Sequence, residues 1–251
     1  MSIALSRRRL IGTLGAGLLV SGCDSWSRSG RVQALLGSAE DLTMGTQRLI
    51  TGEATLGREF GPAEMSPVFR MNGNRTADTP EYRRMLANGF ADFRLVVDGL
   101  VRRPLAIPLD RLRELPSRSQ ITRHDCVEGW SAIGQWRGTS LALLLDAAGV
   151  LDQARYIVFH CADSFGSTPY YESVDMVDAR HPQTILAWEM NGRPLPEGHG
   201  APLRARIERQ LGYKHAKFVM RVEAVASLDR IYGGRGGYWE DVGVYAWYAG
   251  I

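Results

Sequence analysis

The chain has 251 residues, 45% of them hydrophobic and 23% charged, which is the balance of an ordinary globular protein and excludes disorder or a collagen-like repeat. Its 30 Lys+Arg against 27 Asp+Glu leave a net charge of +3, and the whole excess comes from Arg7, Arg8 and Arg9 in a leader that holds no acid. Bulk attraction to nucleic acid is therefore excluded for the rest of the chain.

Residues 1–22 read as an export signal: a basic start, then an apolar run from Leu10 to Val20. As a helix that run spans about 16 Å, against roughly 30 Å of hydrocarbon in a bilayer, so it is too short to cross. Ser6-Arg7-Arg8-Arg9-Leu10-Ile11 resembles the twin-arginine export signal, and Val20-Ser21-Gly22-Cys23 resembles the lipobox before a lipidated cysteine. The expectation is export to the periplasm or the outer face of the cytoplasmic membrane, with a lipid anchor on Cys23. Cargo of the twin-arginine route is exported folded and typically carries a cofactor.

Residues 23–66 are rich in Ser, Gly and Thr with weak periodicity and are expected to form a tether and irregular entry segment. Residues 67–251 are expected to form the functional domain. Thr79-Pro80 starts a short helix through Leu86. Phe93–Val101 alternates and carries Asp98-Gly99, a strand entering a turn, and Pro108–Leu115 is a short helix stopped by Pro116. Gln120–Asp125 is strand-like and leads into Cys126-Val127-Glu128-Gly129-Trp130. Thr139–Ala148 is a helix closed by Gly149. Tyr156–Cys161, Thr184–Met190 before the Asn191-Gly192 turn, and Phe218–Val225 are strands. Strands outnumber helices without strict alternation, which predicts an α+β fold with mixed or antiparallel sheets. No dinucleotide or triphosphate loop pattern is present.

Beyond Cys23 the cysteines are Cys126 and Cys161. A Cys126–Cys161 disulfide is one reading; a small buried hydrophobe is another for Cys161. Cys126 sits where a strand breaks into a loop among His124, Asp125 and Glu128, the setting of a soft anionic metal ligand. The pairs His124/Cys126 and His160/Cys161 lack the spacing of a structural zinc site. The chain has 28 arginines and two lysines, and both lysines fall in Lys214-His215-Ala216-Lys217. With Gly198-His199-Gly200 and Arg204 upstream, this stretch suits a phosphate-bearing ligand, the alternative being a solvated hairpin.

Cys126-Val127-Glu128-Gly129-Trp130-Ser131, Trp136-x-Gly138, Gly200-Ala201-Pro202-Leu203-Arg204 and Gly212-Tyr213-Lys214-x-x-Lys217 together resemble the molybdopterin-binding domain of the sulfite oxidase family. The likeness covers roughly residues 67–250 and is nearest to the periplasmic branch that reduces protein methionine sulfoxide. It implies a mononuclear molybdenum held by molybdopterin, with Cys126 as the protein's thiolate ligand. It further implies cofactor contacts from Asn72, His199, Arg204, His215, Ala216 and Lys217, with His124 and Glu128 beside Cys126 as catalytic candidates. His199 stands where the reductase branch has Asn. No immunoglobulin-like dimerisation domain is expected, and a monomer is. The implied reaction is two-electron oxygen-atom transfer, either reduction of S-oxides or oxidation of sulfite; a non-catalytic lipid-anchored binding or structural lipoprotein is the alternative of another class. No Cys-x-x-Cys-His heme motif is present, so an external electron partner is expected, a membrane heme protein or a cytochrome.

Overall fold

The computed structural model describes residues 29–251; the leader and Cys23 lie outside the described residues. Helix α1 (Gly30–Thr51) occupies much of the stretch expected to be irregular. Ala34, Leu35, Leu36, Ala39, Leu42 and Met44 are strong helix formers, no proline interrupts them, and their summed propensity outweighs Gly37 and Gly45. No helix among the described residues is long and apolar enough to cross a membrane.

Residues 51–251 form one compact unit around two sheets. Helix α2 (Pro80–Ala87) starts as expected, with the Thr79 hydroxyl accepting from the Tyr82 N–H and proline at the first helical position. The first sheet has the order β2 (Leu105–Pro108), β1 (Arg94–Gly99), β10 (Val219–Val225), β5 (Tyr156–Phe165), β6 (Thr168–Asp175). Only β1 and β10 run parallel; the other pairs are antiparallel. The second sheet has the order β3 (Ser117–Cys126), β4 (Trp130–Ser140), β7 (Ile185–Met190), β8 (Arg193–Pro194), with β9 (Arg204–Arg206) also on β7. This is the α+β architecture with mixed sheets read from the sequence. Helices α3 (Leu109–Glu114), α4 (Leu141–Ala148), α5 (Met176–Ala179) and α6 (Tyr238–Asp241) complete the elements.

One apolar cluster joins the parts. Leu95, Phe159 and Val222 from the first sheet meet Leu186 and Trp188 from the second, with Leu112 of α3 and Leu141, Leu144 and Leu145 of α4. These buried side chains each contribute about 1.5–3 kcal/mol of transfer free energy. Gly149 closes α4 in the left-handed conformation, as its place after the leucine-rich run implies. The sequence does not mark β2, β8 and β9, which are four residues or fewer, nor the longer β4 and β6, whose patterns depart from simple alternation. β4 carries two glycines, and Tyr170–Val174 of β6 are buried on both faces.

Gly138 of the Trp136-x-Gly138 pair sits at a register shift between β4 and β7. A Cβ there would stand 2.6 Å from the Ala187 Cα and overlap the Leu186 carbonyl, so only a residue without a side chain lets the strands approach. Gly138→Ala is expected to cost about 1–3 kcal/mol by overpacking. That is a fall of roughly 3–10 °C in melting temperature for a unit of this size, read by circular dichroism. An unchanged midpoint would show that β4 and β7 separate freely.

Candidate active site

β3 and β4 form an antiparallel hairpin whose last pair is Cys126 with Trp130, so residues 127–129 make the tip and Cys126 ends its strand. The Gly129 N–H donates to the Cys126 carbonyl at 3.0 Å, and Gly129 takes φ +84°, the left-handed conformation that glycine reaches without strain. Period-two alternation points Gln120, Thr122 and His124 inward, each at most 2% exposed, and leads to the half-buried Cys126. The inner face of this strand is therefore polar.

That face meets two buried arginines. Arg206 grips Glu208 through both oxygens, at 2.9 and 2.7 Å, and donates to His124 Nδ1 at 3.0 Å. Arg204 donates to Asn72 Oδ1 at 3.1 Å and to the His199 carbonyl at 3.3 Å. Both guanidiniums lie over the Trp136 ring, at 5.3 Å for Arg204 and 4.4 Å for Arg206. Burial, then the neighbouring Arg206, pushes Arg204 down to about 9. Burial and these cations also hold His124 and His215 well below the usual imidazole range and bring His199 down to about 4. All three histidines are neutral at pH 7.

A cavity of about 290 Å³ opens beside this cluster. Asn72, Asn74, His215, Lys217, Asp163, Cys126 and Glu128 form its polar lining. Phe165, Tyr170, Tyr213, Trp239 and Tyr245 form a contiguous aromatic wall. Its ring contacts run Tyr170–Phe165 (5.8 Å), Phe165–Trp239 (5.1 Å), Trp239–Tyr245 (5.9 Å) and Tyr245–Tyr213 (4.7 Å). Lys217 donates to the carbonyls of Asn72 (2.6 Å), Gly198 (3.1 Å) and Asn74, which fixes the 72–74 loop against the 198–200 turn. Gly200, at φ +108°, is required there: a Cβ would stand 2.8 Å from the Lys217 Cβ. Burial and Arg204 bring the Lys217 ammonium down to about 7. Burial raises the Cys126 thiol, opposed by the Glu128 N–H, which donates to it, and by Arg204. Trp130 Nε1 donates to Glu128 Oε2 at 2.9 Å and holds that carboxylate.

Of the residues singled out from sequence, Asn72, Cys126, Glu128, His215 and Lys217 line the cavity, and His124, His199 and Arg204 pack beside that lining. Ala216 instead lies in the apolar core, with its carbonyl accepting from Ala205 at 2.8 Å. Lys214, grouped by sequence with Lys217 and Arg204 around one anion, does not reach the cavity; its ammonium lies between Glu172 and Glu240, at 2.7 Å from each. Cys126 and Cys161 are both free thiols, not a disulfide. Cys161 is half-buried and packs on the core edge. Tyr213 of the motif Gly212-Tyr213-Lys214 lines the cavity, whereas Arg206, Glu208, Asp163 and the other four rings of the aromatic wall went unmarked as a site. The one available signal is Arg204-Ala205-Arg206-Ile207-Glu208, charges alternating with apolar residues in a stretch too short for a surface hairpin.

Arg204 Nε, His124 Nε2, His199 Nδ1, His215 Nδ1 and Asp163 Oδ1 are buried without a hydrogen-bond partner among the described residues. Arg204, Arg206 and Lys217 stand here with Glu208, Asp163 and Glu128, and Arg204 alone of the two arginines has no carboxylate partner, so a ligand with an anionic group for Arg204 and ring donors and acceptors for the orphaned atoms fits. Residues 82–230 match the oxidoreductase molybdopterin-binding domain. The putative protein-methionine-sulfoxide reductase subunit YedZ1 of Azospira oryzae is 39% identical over 198 residues, 76% of this chain and 70% of that protein. The protein-methionine-sulfoxide reductase catalytic subunit MsrP of Ralstonia nicotianae is 36% identical over 140 residues, 51% of this chain and 42% of that protein. The crystal structure of the sulfane dehydrogenase SoxCD from Paracoccus pantotrophus is 23% identical with a TM-score of 0.49, over 59% of this chain and 45% of that one. The chain belongs to the sulfite oxidase family of molybdopterin-binding oxidoreductases, whose cofactor is molybdenum held by molybdopterin.

Because His199 takes its low value from burial first and Arg204 next, Arg204→Gln is expected to move its midpoint upward from about 4. The imidazole signal in an NMR titration of the cofactor-free protein reads this. A base whose folded value is depressed stabilises the fold fully above its unfolded value near 6.5 and loses that contribution as pH falls toward 4. A midpoint unmoved by Arg204→Gln would remove that guanidinium as a cause.

Proposed function

We propose that this chain is a catalytic subunit that reduces S-oxides to thioethers by two-electron oxygen-atom transfer, with the two sulfoxide reductases at 39% and 36% identity as its functional relatives. The observation that carries the reading is the cavity itself, where a cysteine at a hairpin tip shares one space with orphaned polar atoms and an uncharged aromatic wall. Molybdopterin-bound molybdenum supplies the two-electron redox change that such a transfer requires.

The chain's residues supply the rest. Cys126, ending β3 at the cavity, would hold the metal through its thiolate sulfur. Arg204, Asn72, His199, His215 and Lys217 would hold the pterin and its phosphate, the arginine Nε and the two imidazole Nδ1 atoms being among the buried groups that lack partners. His124 keeps its ring fixed by the Arg206 bond behind the cavity lining, with Nε2 packed against Gly212. Removing the oxygen as water takes two protons. Asp163, pushed up to about 6 by burial and partnered at Oδ2 by Asn74 at 2.9 Å, holds a proton on the cavity wall below that pH. Glu128, held by Trp130, lies on the same cavity wall.

Sulfite oxidation is the second reading. Five aromatic rings along the cavity favour a neutral, carbon-bearing S-oxide over a doubly charged oxyanion. Cys23 as a lipid anchor would hold the enzyme beside a membrane heme protein or a cytochrome as electron donor and raise its effective concentration there.

Purified holoenzyme is expected to contain molybdenum and pterin and to turn over methyl sulfoxides faster than sulfite. Cys126→Ser is expected to lose at least 100-fold in activity, about 2.7 kcal/mol, with unchanged far-UV circular dichroism. Metal-free protein from a molybdenum-replete host, or full activity in Cys126→Ser, would overturn the assignment.

A further inference from the structure

Lys214 is fully buried and does none of the work that its neighbour Lys217 does. Its Nζ lies 2.7 Å from Glu172 Oε2 and 2.7 Å from Glu240 Oε1, and the three side chains are 1%, 0% and 2% exposed. They come from three separate places: β6, the single turn Gly212–Lys214, and α6. Each place carries part of the aromatic wall. Tyr170 precedes Glu172 by two residues on the same strand face, Tyr213 adjoins Lys214, and Trp239 adjoins Glu240. Further bonds cross the same junction. The Tyr170 hydroxyl donates to the Tyr213 carbonyl at 3.0 Å, and Trp247 Nε1 donates to Ser173 Oγ at 2.9 Å.

The charges do not balance as they stand. Two carboxylates against one ammonium would leave a net negative charge in a dry interior, which costs several kcal/mol. The two oxygens that Lys214 does not take, Glu172 Oε1 and Glu240 Oε2, are buried and have no conventional partner among the described residues. Both also close on Gly237, where a Cβ would stand 2.7 Å from Glu172 Oε1 and 2.6 Å from the Glu240 Cδ. Two buried acceptor oxygens that close on one point, beside a single ammonium, are reconciled by a proton between them.

We propose that Lys214, with one proton shared between Glu172 and Glu240, forms a net-neutral triad that positions the aromatic wall and thereby sets how tightly the enzyme holds the organic part of an S-oxide. This rests on the S-oxide reading for the substrate and on geometry alone for the wall. Lys214 is a positioning residue; it touches neither cofactor nor substrate.

Two substitutions at Glu240 separate charge from position. Glu240→Gln replaces a proton-sharing carboxyl by an amide of the same shape and leaves one carboxylate for one ammonium. Glu240→Asp keeps the charge and withdraws the anchor by one methylene. With holoenzyme and methyl p-tolyl sulfoxide, Glu240→Gln is expected to hold KM within about two-fold, and Glu240→Asp to raise KM about five-fold or more at nearly constant kcat. Binding of the unreactive methyl p-tolyl sulfone, read by quenching of tryptophan fluorescence in the cofactor-free protein, should weaken in the same order. The double variant Glu172→Gln/Glu240→Gln strands Lys214 and should melt lower than the two single changes together account for.

A KM that rises in Glu240→Gln and not in Glu240→Asp, or that moves in neither, would overturn the proposal, as would a double variant no less stable than the sum of its parts. Wild-type protein that binds the sulfone but reduces no sulfoxide would fail the S-oxide reading while leaving the wall assignment standing. Absence of sulfone binding by wild type would remove the wall as a binding surface.

Discussion

The structure turns on two guanidiniums buried over one indole with a single carboxylate to share. Arg204 and Arg206 both lie over Trp136, and Glu208 satisfies only Arg206. Burying an ion without a partner costs several kcal/mol in protein interiors, so the fold carries a standing deficit of negative charge at this point. The three neutral histidines are the visible consequence. Each would add another cation, and each is held unprotonated by burial and by those arginines. A site built this way is at its most comfortable with an anion in it, and the orphaned nitrogens show where that anion's partners wait.

The scaffold places this cluster by ordinary sheet geometry. β9 enters the second sheet on β7, with Arg204 opposite Ala187 and Arg206 opposite Ile185. Alternation would turn one face of so short a strand to solvent, yet Leu203 to Ile207 are all buried, so both arginines remain inside. β3 then supplies an inner face of Gln120, Thr122 and His124, and its hairpin tip delivers Cys126 to the cavity. The cysteine is thus set by strand register, and a one-residue slip would turn it to the other face.

This explains what was legible from the sequence and what was not. Local chemistry announced itself: the Thr79-Pro80 helix start, the Gly149 cap, the Asn191-Gly192 turn with φ of 52° and 73°, and the strand break at Cys126. Hydrophobic periodicity missed β4 because glycines at 134 and 138 dilute it, and missed β6 because both of its faces are covered. Among site residues, those beside a glycine or a turn were visible. Arg206, Glu208 and Asp163 were not, because a buried charge looks like a surface charge until its partners, 82 and 88 residues away in the chain for His124 with Arg206 and Gln120 with Glu208, are known.

The two lysines make the same point within four residues. Composition alone joined them, since they are the only lysines in the chain. Lys217 meets three backbone carbonyls and no carboxylate at hydrogen-bond range, and burial with Arg204 brings it down to about 7. Lys214, equally enclosed, meets two carboxylates and is driven the other way despite the same desolvation. An ammonium with no carboxylate at hydrogen-bond range keeps donor capacity for what enters the cavity, whereas one enclosed by two acids has none left to lend. It follows that the capacity of this fold to hold an anion is set by where its carboxylates are spent, on Lys214 and Arg206, and withheld, from Arg204.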